Sequence, residues 1–366
     1  MEKRTLGIIS ANYSRKELEQ LTKSRTIATI PFGGRYRLID FPLSNFVNCG
    51  IKTVGLITPY YYRSIMDHVG SGKPWELARK IGGLFILPGT VYGDRSTNGR
   101  VLIRDLIINH RILDRSQSDY VLICDTSVVM NCDFKEFIKA HEEGGCPITL
   151  MYKKEAGRND RAYLKIKKNG QVEKIVKGGS KLDNLFMGCY IVDRGFLTNF
   201  LDWYKALDNY DFMEVLEKYL DKYNVNTFEY KNYSAIIDSV EDYKKASRDL
   251  LDHEVRVELF EQKRLILTKT QDEAPTIYKQ SASVKKSLVA AGCIIEGTVE
   301  NSIIFRSAHI KKGAVVKNSI VMQNSTIEAD ASVINAICDK YVHIGRKAHI
   351  EGGDKNPIVI EKNTII

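Results

Sequence analysis

The sequence of 366 residues contains no long apolar run. A membrane-spanning helix needs about 20 consecutive apolar residues, and no segment approaches that length. The N-terminal residues Met1, Glu2, Lys3 and Arg4 do not begin the apolar stretch of a secretory signal peptide. We therefore expect a soluble, cytoplasmic protein that does not enter a membrane.

Closely spaced cysteine pairs are also missing. There is no CxxC pair and no His/Cys cluster at the spacing of zinc ligands. Most of the cysteines lie inside apolar runs, a pattern typical of free, buried thiols in a reducing compartment. The seven positions are Cys49, Cys124, Cys132, Cys146, Cys189, Cys293 and Cys338.

Lysine and arginine outnumber the acidic residues, and the net charge is +9. A solvated basic surface, attraction to anionic small molecules or an acidic partner subunit, and nucleic-acid binding would each fit this excess. No nucleic-acid-binding motif accompanies the charge, so we expect no nucleic-acid partner. The length suggests two domains.

Glycine is absent from the loop where a nucleotide-binding domain needs it. The apolar residues 6–9 predict a buried strand, and phosphates commonly bind at the turn after the first strand of such a domain. Backbone N–H groups reach a phosphate best where no side chain intervenes. Here the turn reads Asn12, Tyr13, Ser14, Arg15, Lys16 and Glu17. Side chains therefore fill the expected phosphate position.

Strand-like and helix-like segments alternate up to about residue 235. Short apolar runs at 53–58, 120–124, 148–152 and 187–192 alternate with amphipathic stretches at 101–113, 133–143 and 194–207. This alternation predicts an α/β domain with a mostly parallel sheet and helices on both faces. Residues 240–262 predict one long charged helix. We expect an α/β domain at 1–240, a helical linker at 241–275 and a different domain at 276–366.

The last 90 or so residues show aliphatic side chains at a spacing of six, which is typical of a parallel β-helix. Gly, Asn and other small residues lie between them. An irregular β-sandwich is the alternative. The coil's open ends and sides need cover, so we expect an oligomer. The repeating positions are Val289, Ile295, Ile304, Ile310, Val316, Val321, Ile327, Val333, Ile344, Ile350, Ile360 and Ile366.

Two long segments resemble the glucose-1-phosphate adenylyltransferase (ADP-glucose pyrophosphorylase) family of bacterial glycogen synthesis. They are PFGGRYRLIDFPLSNFVNCGI at 31–51 and SLVAAGCIIEGTVENSIIFRSAHIKKGAVVKNSIVMQ at 287–323. The resemblance implies a Rossmann-like (GT-A-like) nucleotidyltransferase domain, a C-terminal left-handed parallel β-helix and a tetramer. It also implies a reaction in which glucose 1-phosphate attacks the α-phosphorus of ATP to give ADP-glucose and pyrophosphate. That reaction needs Mg²⁺ on carboxylates and cations on the triphosphate.

The triphosphate positions implied by the resemblance are altered in this chain. Arg25 is the only cation that remains at a position where the family has a cation for the triphosphate. A glutamate in place of the triphosphate-binding arginine reverses a charge worth about 4 kcal/mol at ~4 Å and an effective dielectric near 20. The family's glycines fall on Asn12, Tyr13 and Arg15, its arginine on Glu17 and its lysine on Ile27.

The metal and sugar-phosphate positions are altered as well. Ser127 stands where the family has its first metal-binding aspartate, and Ile236 where it has the second. Asp125 lies two positions before Ser127, and Asp238 lies two positions after Ile236. The lysine for the sugar phosphate falls on Gly178 and a nearby serine on Phe186.

Taken together, these losses predict a non-catalytic, regulatory subunit with no catalytic residue, metal or cofactor of its own. Mg²⁺ and ATP are expected only for a catalytic partner, with which this chain forms a heterotetramer; a homo-oligomer alone is possible. One alternative is a weakly active enzyme that uses Asp125 and Asp238 as displaced metal ligands. The other is a stand-alone sensor of sugar phosphates or nucleotides that uses Arg25, Arg35 and Arg37, although the last two could instead pair with carboxylates such as Asp40.

Overall fold

A computed structural model describes residues 4–59, 62–90, 101–158, 161–178, 183–261, 263–354 and 356–366. The chain divides into two compact units. Unit 1 comprises Met1–Ser14, Ile39–Ser234 and Lys263–Leu267. Unit 2 comprises Arg15–Leu38, Ala235–Gln262 and Thr268–Ile366, so the segment after the first strand belongs with the C-terminal part of the chain.

The strands that precede the C-terminal repeats are β1 (Thr5–Ser10), β2 (Pro31–Phe32), β3 (Tyr36–Arg37), β4 (Thr53–Thr58), β5 (Gly83–Pro88), β6 (Tyr120–Asp125), β7 (Val128–Met130), β8 (Ile148–Lys154), β9 (Ala162–Ile166), β10 (Val172–Lys177), β11 (Asn184–Asp193), β12 (Val225–Glu229) and β13 (Ser234–Ile236). The α-helices are α1 (Glu19–Thr22), α2 (Asp40–Asn48), α3 (Arg63–Val69), α4 (Ile103–Ile108), α5 (Arg111–Ser116), α6 (Phe134–Gly144), α7 (Arg194–Trp203), α8 (Phe212–Lys218), α9 (Val240–Asp249) and α10 (His253–Phe260). Short 3-10 helices occupy Lys16–Leu18, Ile27–Thr29, Lys73–Trp75, Lys205–Leu207 and Leu220–Lys222.

Unit 1 is built on one twisted sheet. Strands β5, β4, β1 and β6 lie side by side and run parallel. Strand β11 continues the sheet in the antiparallel direction and pairs with β8 and β9. The parallel half confirms the Rossmann-like prediction, while the run at 187–192 lies on an antiparallel strand. The apolar side chains of β1 and β6, among them Leu6, Ile8 and Ile123, belong to the buried core.

Unit 2 contains the C-terminal left-handed parallel β-helix. Three parallel sheets stack its strands in the orders β14-β17-β20-β23-β26, β15-β18-β21-β24-β27 and β16-β19-β22-β25-β28. These strands are β14 (Ile277–Tyr278), β15 (Ser283–Lys285), β16 (Leu288–Val289), β17 (Ile294–Ile295), β18 (Thr298–Glu300), β19 (Ile303–Ile304), β20 (His309–Ile310), β21 (Val315–Lys317), β22 (Ile320–Val321), β23 (Thr326–Ile327), β24 (Ser332–Ile334), β25 (Ala336–Cys338), β26 (His343–Ile344), β27 (His349–Glu351) and β28 (Ile358–Ile360).

The six-residue spacing marks the inside of this coil. Most of the predicted aliphatic positions form its core, with Val289 and Ile350 partly buried against it. Ile366 is the exception: it is 47% exposed, because it lies at the end of the last coil. Asn318 adopts a left-handed φ of 49° at a corner, a conformation that asparagine tolerates better than most residues.

The single long helix predicted for 240–262 is wrong. Two helices, α9 and α10, form instead. The side chain of Asp252 accepts a hydrogen bond from the Glu254 backbone N–H and so caps the start of α10. None of the described helices is both long and apolar enough to cross a membrane.

Candidate nucleotide site

Strands β1 and β6 end at the same edge of the unit 1 sheet, because they are parallel neighbours with Ser10 aligned to Asp125. The residues that follow the two strands therefore meet. Tyr13 reaches across this edge, and its hydroxyl lies 2.9 Å from Thr126 Oγ1. An aromatic side chain thus occupies the place where the family has a glycine.

Asn12 ties the same loop to helix α4. Its Nδ2 donates to Asp105 Oδ2 at 2.7 Å and to the Thr90 carbonyl at 3.3 Å. The other oxygen of Asp105 accepts from the backbone N–H and the hydroxyl of Thr90. Burial raises the pKa of Asp105, and the hydrogen bonds from Asn12 and Thr90 oppose that shift. The side chain of Asn12 therefore belongs to an internal hydrogen-bond network and does not leave the loop open for a phosphate.

Asp125, the last residue of β6, belongs to a buried ion pair. Its Oδ2 lies 3.4 Å from Arg161 Nη1, and the two side chains are 0% and 1% exposed. Its Oδ1 accepts from the backbone N–H and the hydroxyl of Ser127, at 2.8 and 3.0 Å. Arg161 Nη2 also donates to Ser127 Oγ at 2.8 Å. One guanidinium therefore contacts both Asp125 and Ser127, the residue at the predicted metal-ligand position.

The backbone leaves little room around this network. Gly188 has a φ of +65°, and a Cβ there would lie 2.1 Å from Asp125 Oδ2. Gly178, the position of the family's lysine, donates its N–H to the Arg161 carbonyl at 2.8 Å. Phe186 is fully buried in the core. Neither of these two positions offers a polar side chain to a sugar phosphate.

Unit 2 holds a second arginine–aspartate pair. Arg15 Nε lies 3.6 Å from Asp238 Oδ1, and each side chain is 4% exposed. Ile236 and Ile27 are both buried. Glu17 is exposed on the 3-10 helix Lys16–Leu18. Asp238 therefore pairs with Arg15, the residue at one of the positions where the resemblance predicts a glycine.

Arg25 also has a partner within unit 2. Its Nη2 donates to both carboxylate oxygens of Asp339, at 2.8 and 2.7 Å. Lys340 is 9% exposed, and its pKa is lowered to about 6, chiefly by burial and then by the charges of Arg37 and Arg25.

Arg35 is exposed and lies over the Tyr36 ring, 5.4 Å from its centroid. In unit 1, Asp40 is hydrogen-bonded to His68 Nε2 at 2.5 Å.

Sequence reasoning missed Arg161, Asp339 and Lys340. Arg161 comes just before the apolar start of β9, and Asp339 and Lys340 follow the buried strand β25. A charged residue beside a buried strand is the only signal that the sequence offers. Their partners Asp125 and Arg25 lie 36 and 314 residues away.

The chain matches two protein families. Residues 13–252 match the nucleotidyl transferase family, and residues 274–357 match the GlmU-like C-terminal hexapeptide family. It is 35% identical over 361 residues to the glycogen biosynthesis protein GlgD of Bacillus subtilis (strain 168), covering 98% of this chain and 96% of the relative. The chain belongs to the GlgD type of the glucose-1-phosphate adenylyltransferase family.

Other relatives agree with this assignment. The glycogen biosynthesis protein GlgD of Geobacillus stearothermophilus is 36% identical over 86% of this chain and 84% of its own length. A glucose-1-phosphate adenylyltransferase of Halalkalibacterium halodurans is 30% identical over 85% of this chain and 83% of its own length. The chain therefore resembles both GlgD proteins and glucose-1-phosphate adenylyltransferases over most of its length.

The residues of this GlgD-type chain do not fit the Mg²⁺ ion that the family's reaction uses. Mg²⁺ binds carboxylate and water oxygens in a nearly octahedral arrangement. Asp125 is instead bonded to Ser127 and Arg161, and the ligand position itself carries a hydroxyl. Among the described residues, no group of three His, Cys, Asp or Glu side chains could hold a metal ion.

Proposed function

We propose that this chain is a catalytically deficient, regulatory subunit of a cytoplasmic ADP-glucose pyrophosphorylase that acts in glycogen biosynthesis. The observation that carries the proposal is the contact of Arg161 with both Asp125 and Ser127. A protein cation therefore lies against the residue at the predicted first metal-ligand position and against the nearby aspartate that could have replaced it. The names of the GlgD relatives support the place in glycogen biosynthesis.

Electrostatics explains why such a site does not turn over ATP. Adenylyl transfer brings two anions together and depends on fixed positive charge at the phosphates. Arg25, the one cation that is retained, is paired with Asp339, and Glu17 and Ile27 replace the other two phosphate cations. Tyr13 and Asn12 fill the loop itself. The replaced side chains include those expected to bind the metal, the triphosphate and the sugar phosphate.

The regulatory role requires a catalytic partner. A subunit with the family's fold but no active site can shift the population of its partner's active state through a shared interface in a heterotetramer. The size of that effect is set by the difference in the chain's affinity for the two states of the partner.

The test combines this chain with the catalytic subunit of its own organism. Purified alone, the chain should form no detectable ADP-glucose from ATP, Mg²⁺ and glucose 1-phosphate. The mixture should migrate as one complex in analytical ultracentrifugation, and its KM or activator response should differ from that of the catalytic subunit alone. Unchanged kinetics without a complex would refute the proposal. Activity of the pure chain that is abolished by D125N would favour the weakly active enzyme.

A second candidate, a sensor of phosphorylated metabolites, is favoured by the position of Lys340, which is 9% exposed and lies near other cations. Burial and the neighbouring charges of Arg37 and Arg25 lower the pKa of Lys340 to about 6. A bound phosphate would restore a proton to this amine, so binding at pH 7.5 should be accompanied by proton uptake. Calorimetry with phosphate, AMP and fructose phosphates in buffers of different ionisation enthalpy would detect that uptake. K340M should take up fewer protons on binding than the wild type, and an equal proton uptake in the two proteins would exclude this site.

A further inference from the structure

An open groove of about 1250 Å³ lies in unit 1 at the edge where the parallel strands begin. Thr5 and Thr53, the first residues of β1 and β4, line it. The candidate nucleotide site lies at the opposite edge, where β1 and β6 end. The groove is therefore separate from the chemistry described above.

Part of the lining of the groove is apolar and exposed. Ile81, Phe85 and Ile108 line it and are 91%, 37% and 53% exposed. Phe85 belongs to β5, which ends the sheet order and has a neighbouring strand on one side only within the described residues. The strand reads Gly-Leu-Phe-Ile-Leu-Pro and carries no charge. Natural proteins usually protect such an edge with charged residues or a cover.

The charged part of the lining is mostly positive. Six exposed cations line the groove, and Glu142 is the one acid among the lining residues that the structure describes. Lys139 also lies 3.6 Å from Glu143, on the exposed face of α6. The cations are Arg4, Lys52, Arg111, Arg115, Lys135 and Lys139.

The positive charge of the groove distinguishes between two possible binding partners, a second copy of this chain and an acidic protein. A second copy of this chain placed over the groove by a two-fold axis would bring the same cations face to face. Like charges opposed across an interface disfavour that pairing, whereas an acidic surface is attracted. Protein interfaces usually combine apolar anchor residues with charged residues, as the lining of this groove does.

We infer that this groove docks the catalytic partner chain through a partner surface that carries both apolar and acidic side chains. This inference rests on the proposed function. Ile81, Phe85 and Ile108 supply the buried contact, and Arg111 and Arg115 contribute the charge that excludes self-pairing. The groove thus specifies a hetero-complex rather than a homo-oligomer.

The experiment measures the dissociation constant of the wild-type complex and of three double variants. R111E/R115E reverses two of the positive charges that line the groove, and F85S/I108S removes apolar contact. K167E/K168E is the matched control, because it reverses two exposed cations in the turn between β9 and β10 of the same unit. Circular dichroism and thermal unfolding confirm that each variant folds.

We expect R111E/R115E and F85S/I108S each to weaken the complex at least tenfold, and the control to change it less than twofold. Raising NaCl from about 0.05 to about 0.5 M should weaken the wild-type complex but affect R111E/R115E much less, because salt screens exposed charges. If the wild-type chains form no complex, the proposed function itself fails. If they form one that all three variants match, the function stands and the groove is not the interface. Variants that abolish self-association but leave the hetero-complex intact would also overturn the inference.

Discussion

The guanidinium of Arg161 lies 3.4 Å from the carboxylate of Asp125, and both side chains are buried. A buried ion pair of this kind is costly to form and more costly to break, since removing one partner leaves an uncompensated charge in a medium of low dielectric. The pair therefore fixes the conformation of the residues at the end of β6.

R161M should destabilise the protein by about 3–5 kcal/mol, because Asp125 would lose its buried counter-charge. The double variant D125N/R161M should recover much of that loss, since it removes both charges. Urea unfolding followed by circular dichroism measures both. K165M, which removes an exposed cation from β9, is the control and should change the stability little. A loss of equal size in D125N/R161M would show that packing, not charge, accounts for the effect.

Removing the arginine should also open this position to a metal. The double variant S127D/R161S would place a carboxylate at the family's ligand position and take away the protein cation that competes for it. We expect it to bind Mn²⁺ at least tenfold more tightly than S127D alone, as measured by the decrease of the free-ion signal in electron paramagnetic resonance. S127N/R161S serves as the control without the new charge. Equal affinities for the two aspartate variants would mean that Arg161 does not compete with a metal.

The sequence predicted the β-helix well because its core is a local pattern. Each inward residue repeats at a fixed spacing, and residues such as Ile304, Ile310 and Val316 are buried as expected. The error at Ile366 arises at the end of the coil, where the repeat continues but no further coil covers it. The break between α9 and α10 was missed because the prediction followed the charged pattern of 240–262 as a whole. It did not consider that Asp252 could cap the start of a second helix.

The candidate site was only half predictable. The absence of glycines could be read directly from the residues, and the absence of phosphate cations and metal carboxylates could be predicted from the resemblance to the family. What replaces them could not, because Arg161 meets Asp125 through the pairing of distant strands and Arg25 meets Asp339 across most of the chain. No local pattern encodes such contacts, so the sequence predicted a deficient site but not the ion pairs in it.

The thiols of Cys124 and Cys189 should be unreactive in the folded protein. They face each other on β6 and β11 with their sulfurs 2.9 Å apart, and burial raises both pKa values above the ordinary range. Because the thiolate is the nucleophile, iodoacetamide at pH 7.5 should alkylate both residues at least a hundredfold more slowly than in urea. Mass spectrometry of peptides from folded and unfolded samples measures this ratio. Rapid labelling of Cys124 in the folded protein would contradict the burial of this pair.

Lys340 should make the stability of the protein depend on pH. Its pKa is lowered from 10.5 in the unfolded chain to about 6 in the folded protein, mainly by burial. Between these values the unfolded chain binds more protons, so the free energy of unfolding rises with pH across this window, by up to about 1.4 kcal/mol per pH unit from this group. K340M removes the cost of deprotonating the buried amine, so it should stabilise the protein most at the acidic end of the window and least near pH 10. Urea unfolding of both proteins at several pH values from 6.5 to 9.5 measures the difference, with K312M on the exposed face of the β-helix as the control. A constant difference between K340M and the wild type over this range would show that the amine does not titrate on folding.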